Sequence, residues 1–270
     1  MSVLLQISDP HFGTEQPLVM EALLSLAQAE QPEVIVWSGD ITQRARRAQF
    51  EAARRFADRL PSPHRLVIPG NHDIPLFNLP ARLLWPYANF QRAFGRPLEP
   101  CLSTPNWLVI GVNTTRPWRH KNGEVSNGQI DRVAARLREA TPGQVRVVVV
   151  HQPVCVTLDK DDENLLRGAP EALSRWGAAG VDLILGGHIH LPYVVEQAGG
   201  VAVGQRPFWV VQAGTALSTR VRGGQANSVN LIRQPAQPGQ AVSIERWDFR
   251  GEQQDFALLS RLDACVPTAR

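Results

Sequence analysis

The chain has 270 residues, 43% of them hydrophobic and 20% charged, which is enough apolar material for a sizeable core and excludes a disordered chain. A net charge of +3, from 28 basic and 25 acidic residues, is too mild to announce a nucleic-acid binder by itself. Three widely spaced cysteines, Cys101, Cys155 and Cys265, argue against a disulfide framework and fit a reducing compartment.

The opening Met1-Ser2-Val3-Leu4-Leu5-Gln6-Ile7 is too short and too free of basic flanks for a secretory signal. No run reaches the ~20 apolar residues of a membrane span, so a soluble, cytoplasmic protein is expected. Val3 to Ser8 reads as a strand ending in Ser8-Asp9-Pro10-His11. Pro17 to Glu30 carries Val19, Leu23, Leu26 and Ala27 at helical spacing. Val34 to Trp37 is a second strand, ending in Ser38-Gly39-Asp40. Residues 45–60 return to a helix rich in arginine, and Arg65 to Ile68 runs into Pro69-Gly70-Asn71-His72-Asp73. Strand, helix, strand, helix, strand predicts right-handed βαβ units and a parallel sheet covered on both faces.

Residues 74–100 crowd aromatic and leucine side chains among prolines and read as a helical insert over the sheet edge, part core and part lid. Trp107 to Val112 is a fourth strand, ending in Asn113-Thr114-Thr115 and a basic, aromatic loop through Gly123. A helix over Asn127 to Ala140 and the strand Val145 to Val150 follow, the latter ending at His151. Residues 159–179 are acidic and then helical. Val181 to Leu185 ends in Gly186-Gly187-His188-Ile189-His190. From there to about residue 249, short strands joined by Gly and Pro turns predict a meander that completes a second sheet packed on the first. One domain over 1–270 is expected.

The polar residues at the strand ends form one set. Five of the seven histidines (His11, His72, His151, His188 and His190) directly follow apolar strands, with Asp9, Asp40, Asn71 and Asp73 beside them. Core packing gives no reason for such placement, and open α/β sheets keep their ligands at that edge. Carboxylate, imidazole and amide oxygen are donors for divalent metals such as Mn, Fe, Co, Ni and Zn. No cysteine joins them, so a structural zinc clamp is not indicated. Asp40 is placed to bridge two ions, and a metal pair can clamp the attacking and leaving oxygens of a displacement at phosphorus. Thiol catalysis at Cys155, four residues after His151, is the weaker alternative to a small apolar side chain there.

Asp9-x-His11, Gly39-Asp40, Gly70-Asn71-His72-Asp73, His151 and Gly187-His188-x-His190 resemble the five ordered motifs of the calcineurin-like metallophosphoesterase superfamily. The resemblance implies an α/β four-layer αββα sandwich of two mixed sheets, with a dinuclear metal site at the sheet edge. It implies one ion on Asp9, His11, Asp40 and His190, and a second on Asp40, Asn71, His151 and His188, the metals being Mn, Fe or a similar ion. A hydroxide bridging them would attack phosphorus in line. His72 would then assist the leaving oxygen, with Asp73 orienting its imidazole.

Ala213 to Ser218, Arg220, Arg222 and Asn227 to Asn230 resemble the class III cyclic nucleotide phosphodiesterase branch. The chain departs from many members of that branch in having His151-Gln152-Pro153 where they carry a second histidine. A cyclic nucleotide or other small phosphodiester is the expected substrate. Asn113, Arg116, Trp118, Arg119 and His120 from one loop, and Arg220 and Arg222 from another, are the candidate substrate contacts, since Arg pairs phosphate and Trp can stack a base. The alternatives are a nucleotide or lipid-sugar pyrophosphatase, a phosphomonoesterase, a DNA nuclease, which would want a basic stripe, and a non-catalytic scaffold, which would lack ligands.

Overall fold

The structure, a computed structural model, describes residues 2–198, 206–234 and 241–265. The chain lays down β1 (Val3–Ile7), β2 (Val34–Ser38) and β3 (His64–Ile68) as parallel neighbours. It then builds β4 (Cys101–Ser103), β5 (Trp107–Gly111), β6 (Val145–Val149), β7 (Leu183–Gly186), β8 (Tyr193–Gln197) and β9 (Phe208–Gln212) into a second sheet of order β4-β5-β6-β7-β9-β8. Finally β10 (Ser228–Arg233), β11 (Val242–Arg250) and β12 (Asp255–Ala264) return to the first sheet, whose order is β12-β11-β10-β1-β2-β3. The helices are α1 (Pro17–Glu30), α2 (Arg47–Ala57), α3 (Leu79–Leu84), α4 (Ala88–Phe94), α5 (Asn127–Arg138) and α6 (Ala169–Ala178).

Apolar residues run without interruption along the central strands because successive side chains enter different cores. Val3, Leu5 and Ile7 of β1 pack with Val19 and Leu23 of α1, Phe50 and Phe56 of α2, and Phe90 of α4. Leu4, by contrast, meets Val34, Val36, Val147 and Val149 between the two sheets. On the far side Val148 joins Ile130 and Val133 of α5 and Trp176 of α6. Three apolar interfaces separate four layers, helices, sheet, sheet and helices, as the sequence predicts. Among the described residues no helix is long and apolar enough to cross a membrane.

Three points depart from the expectation. Only β8 and β9 complete the second sheet, while β10 pairs antiparallel with the free edge of β1, Val3 opposite Arg233 and Gln6 opposite Asn230. An alternating strand suits either sheet equally, so periodicity could not allot it. The last strand, β12, also lies beyond the predicted meander, and the three-residue β4 was not anticipated. The insert does divide: Phe90 of α4 is buried in the core, whereas Leu79, Leu83 and Leu84 of α3 are exposed.

One buried polar residue holds the sheets in register behind the strand ends. Gln6 donates to Ser38 Oγ (3.1 Å) and to the Gly186 carbonyl (2.9 Å), and accepts from Asn230 Nδ2 (2.9 Å). It thereby links β1, β2 and β10 of one sheet to β7 of the other.

Candidate metal centre

Where β1, β2 and β7 end, the backbone turns sharply. Asp9, His11, Asp40, His188 and His190 all have positive φ, between 45° and 73°. The left-handed region is unfavourable for residues with a Cβ, at ~1–2 kcal/mol each, and such outliers gather where surrounding structure enforces them for a purpose. Here the turn folds side chains from successive strands into one place. Gly39 (φ 101°) precedes Asp40 and faces His151, and a Cβ on Gly70 would overlap the backbone and carboxylate of Asp40. The glycines of the motifs therefore let two strand ends touch.

The donor atoms of Asp9, His11 and His190 lie within 4.8 Å of one another, as do those of Asp40, His151 and His188. Asp40 faces both groups, with Oδ1 3.3 Å from His151 Nε2 and Oδ2 3.7 Å from His11 Nε2. His190 Nε2 is 3.3 Å from Asp9 Oδ1 and 3.0 Å from His11 Nε2. Asn71 Oδ1 stands 3.2 Å from His151 Nε2. All seven predicted ligands are brought together.

Outer contacts aim these groups. His151 Nδ1 donates to the Ser38 carbonyl (2.9 Å) and His190 Nδ1 to the Arg220 carbonyl (2.6 Å). A carbonyl can only accept, so in each neutral ring the Nε2 lone pair points inward. Asp9 accepts from Ser8 Oγ (2.6 Å) and from the His188 N–H at 3.0 and 3.1 Å.

Charge is distributed to match. Burial pushes His11 down to about 3 despite the pull of Asp40 and Asp9, and burial with the neighbouring His151 does the same to His188. Both rings are held neutral, the form that binds a metal. Burial alone would raise the Asp9 carboxyl, but the hydrogen bond and charge of His190 hold it at about 2. Burial likewise opposes charge on His151, yet Asp40 lifts it to about 9. Asp40 itself is held well below the usual carboxylate range, as His151 and His72 outweigh its burial. The pocket thus keeps its carboxylates ionised and stabilises positive charge. His11 Nδ1 and His188 Nδ1 are buried without a hydrogen-bond partner. With metal–nitrogen bonds of ~2.1 Å, two nitrogens at right angles stand ~3.0 Å apart, so the His11–His190 spacing suits a shared ion. The donor set fits divalent cations.

His72 lies at the open side, its Nε2 4.0 Å from Asp40 Oδ2 and its ring edge-on to His11 at 4.9 Å. The expected partnership with Asp73 is not found. The ring is held by the Gln43 carbonyl, 3.0 Å from Nδ1. Asp73 instead accepts from the N–H groups of Ile41 (3.0 Å), Thr42 (2.8 Å) and Gly70 (2.9 Å) and from Thr42 Oγ1 (2.9 Å). A buried carboxylate goes where orphan backbone donors are, and the two turns supply three. Burial and the charge of Asp40 raise it to about 7 against those donors.

An open cleft of about 850 Å³ adjoins the cluster, lined by Asp40, Asn71, His72, His188 and His190 with Arg44, His120, Lys121, Lys160, Arg220 and Arg222. Of the predicted substrate contacts, His120, Arg220 and Arg222 are on it. Asn113 and Arg116 instead line a separate depression with Glu99 and Gln129. Arg119 is engaged by Glu124 (2.7 Å), and Trp118 points to solvent. Loop composition could not separate these cases. Sequence reasoning also missed Arg44 and Lys160, which no motif marks out. Cys155 is half-buried, with its thiol pushed up to about 11 by burial, which disfavours the thiolate that nucleophilic chemistry needs.

Residues 2–192 match a family model described as calcineurin-like phosphoesterase. A probable cyclic nucleotide phosphodiesterase from Synechococcus sp. is 25% identical over 199 residues, covering 70% of this chain and 73% of the relative. Among solved structures, purple acid phosphatase from yellow lupin (Lupinus luteus) seeds matches with a TM-score of 0.73 at 11% identity. That match covers 98% of this chain and 53% of the other, so this chain spans about half its length. A dimetal phosphatase from Danio rerio matches with a TM-score of 0.67 at 14% identity, over 98% of this chain and 99% of that one.

Proposed function

The chain belongs to the calcineurin-like phosphoesterase family, and from that premise we propose that it hydrolyses small phosphodiesters with two metal ions held at the cluster. The observation that carries this reading is Asp40, whose two oxygens face two separate donor groups. Asp9, His11, Asp40 and His190 would hold one ion, and Asp40, Asn71, His151 and His188 the other. Nitrogen and oxygen donors without thiolate suit Mn, Fe, Zn, Co or Ni.

When bound, the ions supply Lewis-acid charge to the phosphoryl oxygens and lower the pKa of water towards neutrality. The chain's own groups do the rest. Ser38 and Arg220 fix the rings of His151 and His190 through their carbonyls. His72, exposed to the cleft and fixed at Nδ1, gives a proton from Nε2 to the leaving oxygen. Asp73 positions it indirectly, by tying the turn after β2 to the turn after β3. Arg44 and Lys160 have no hydrogen-bond or ion-pair partner for their side chains among the described residues and face the cleft where an anionic ester would sit, beside Arg220, which Gln43 holds at 2.9 Å. A cyclic nucleotide is the first substrate class to try, a choice supported by the name of the Synechococcus relative.

The test compares 3′,5′-cyclic nucleotides, bis(p-nitrophenyl) phosphate and p-nitrophenyl phosphate with Mn²⁺ present. Diesters should exceed the monoester in kcat/KM by about tenfold or more, a preference of ~1.4 kcal/mol, and chelation should abolish turnover. A preference for the monoester would overturn the diester assignment.

A further inference from the structure

One flank of the cleft is covered with apolar side chains that the core does not take up. Phe77, Leu79, Leu83, Leu84 and Trp85, on and beside α3, and Trp118 of the neighbouring loop are exposed, from 62% for Leu79 to 80% for Phe77. In the same helix Arg82 is buried, donating to the carbonyls of Pro75 (3.1 Å) and Arg119 (2.6 Å). A helix facing water turns its apolar side inward and its charge outward; α3 does the reverse. Arg82 fastens the Trp118 loop to α3 from beneath, so the exposed residues of both segments belong to one surface. Single exposed leucines need no explanation, but a joined set of this size marks an interaction site.

The charge beside it has an excess of one sign. Residues 41–50, 74–98 and 112–123 contain three Lys or Arg apiece and no Asp or Glu. Glu51, Glu124 and Glu163 pair with Arg47, Arg119 and Lys121 and Arg82 is buried, while Arg44, Arg46, Arg92 and Arg96 have no carboxylate partner among the described residues. Arg44, from the first of these segments, lies over the Phe77 ring at 5.7 Å.

We propose that this face docks on an anionic lipid surface. The leucines and tryptophans enter the interfacial layer, where an apolar face edged with Trp and flanked by basic residues is at home, and the surrounding cations meet headgroup phosphates. The leucines decide against a nucleic acid, which offers stacking partners to aromatic rings and nothing to aliphatic chains. Arg44 both covers Phe77 and lines the cleft, and His120 on the cleft is two residues from Trp118. Docking therefore turns the mouth of the cleft towards the headgroup layer. None of this depends on which phosphoester the cleft hydrolyses.

The experiment is co-sedimentation of the full chain with vesicles of phosphatidylglycerol and phosphatidylcholine, or of phosphatidylcholine alone, at low and high salt. The wild type should sediment with the anionic vesicles, at least tenfold more weakly with the neutral ones, and less as salt rises. The triple variant Leu83→Gln, Leu84→Gln, Trp85→Gln should lose binding at least tenfold while keeping its circular dichroism and its turnover of a small diester. No binding by the wild type, or equal binding by the folded variant, overturns the proposal. So does a concentration-dependent dimer in sedimentation velocity that the same variant abolishes, since the face would then be covered by a second copy.

Discussion

The floor and the flank of the cleft are built in opposite ways. The floor is largely buried, five of its residues sit in strained left-handed turns, and Asp9, His151 and His190 each have a backbone partner that aims them. The flank is exposed, apolar, and fastened by one arginine beneath it. A group of carboxylates and imidazoles needs rigid surroundings, because each must be desolvated and still point at a common centre. A surface that meets a partner needs only to present area. Substitutions on the floor therefore act on chemistry and stability, and those on the flank act on neither.

The largest effect is expected at Asp40. Asp40→Ala removes the carboxylate shared by both groups and should lower kcat about a thousandfold, with a matching loss of bound metal by elemental analysis. Retained turnover would break the floor's central claim. His72→Ala should keep the metal content and lower the rate about a hundredfold, most for esters with poor leaving groups. Loss of metal in that variant would make His72 a ligand instead.

A smaller change sharpens the role of Asp73. An asparagine has one acceptor oxygen where the carboxylate has two, so Asp73→Asn strands part of a set of four donors. Urea unfolding should show a loss of about 1–3 kcal/mol, and a variant as stable as wild type would contradict the tie between the two turns. The least effect belongs to the flank. Trp118→Ala should leave kcat/KM for a small soluble diester within about twofold, since exposed side chains away from the chemistry usually change little. A tenfold fall would return Trp118 to the substrate site.

Legibility followed the same division. Asp9, His11, Asp40, Asn71, His151, His188 and His190 could be picked from the chain because each follows an apolar strand, with glycines beside Asp40, Asn71 and His188. Gln6 could not, since a glutamine within an apolar strand gives no sign that Ser38, Gly186 and Asn230 wait around it. Asp73 is expected on the nearest imidazole, whereas its partners are the nearby Gly70 N–H and two backbone N–H groups on the turn after β2, 32 and 31 residues away. The loop from Asn113 to His120 looked uniform and is not. Asn113 and Arg116 face one depression, Trp118 faces solvent, and His120 faces the cleft.

Strand periodicity, strand-end chemistry and the five motifs were enough to determine the layered α/β class, the family and the chemistry the floor is suited to. These are local signals, written in residues a few positions apart. The tertiary structure alone decided which sheet received the C-terminal strands, which basic residues reached the cleft, and that α3 would turn its leucines outward. Each of those outcomes depends on what lies across a gap from the residue in question, and the linear order of the chain holds no record of that neighbour.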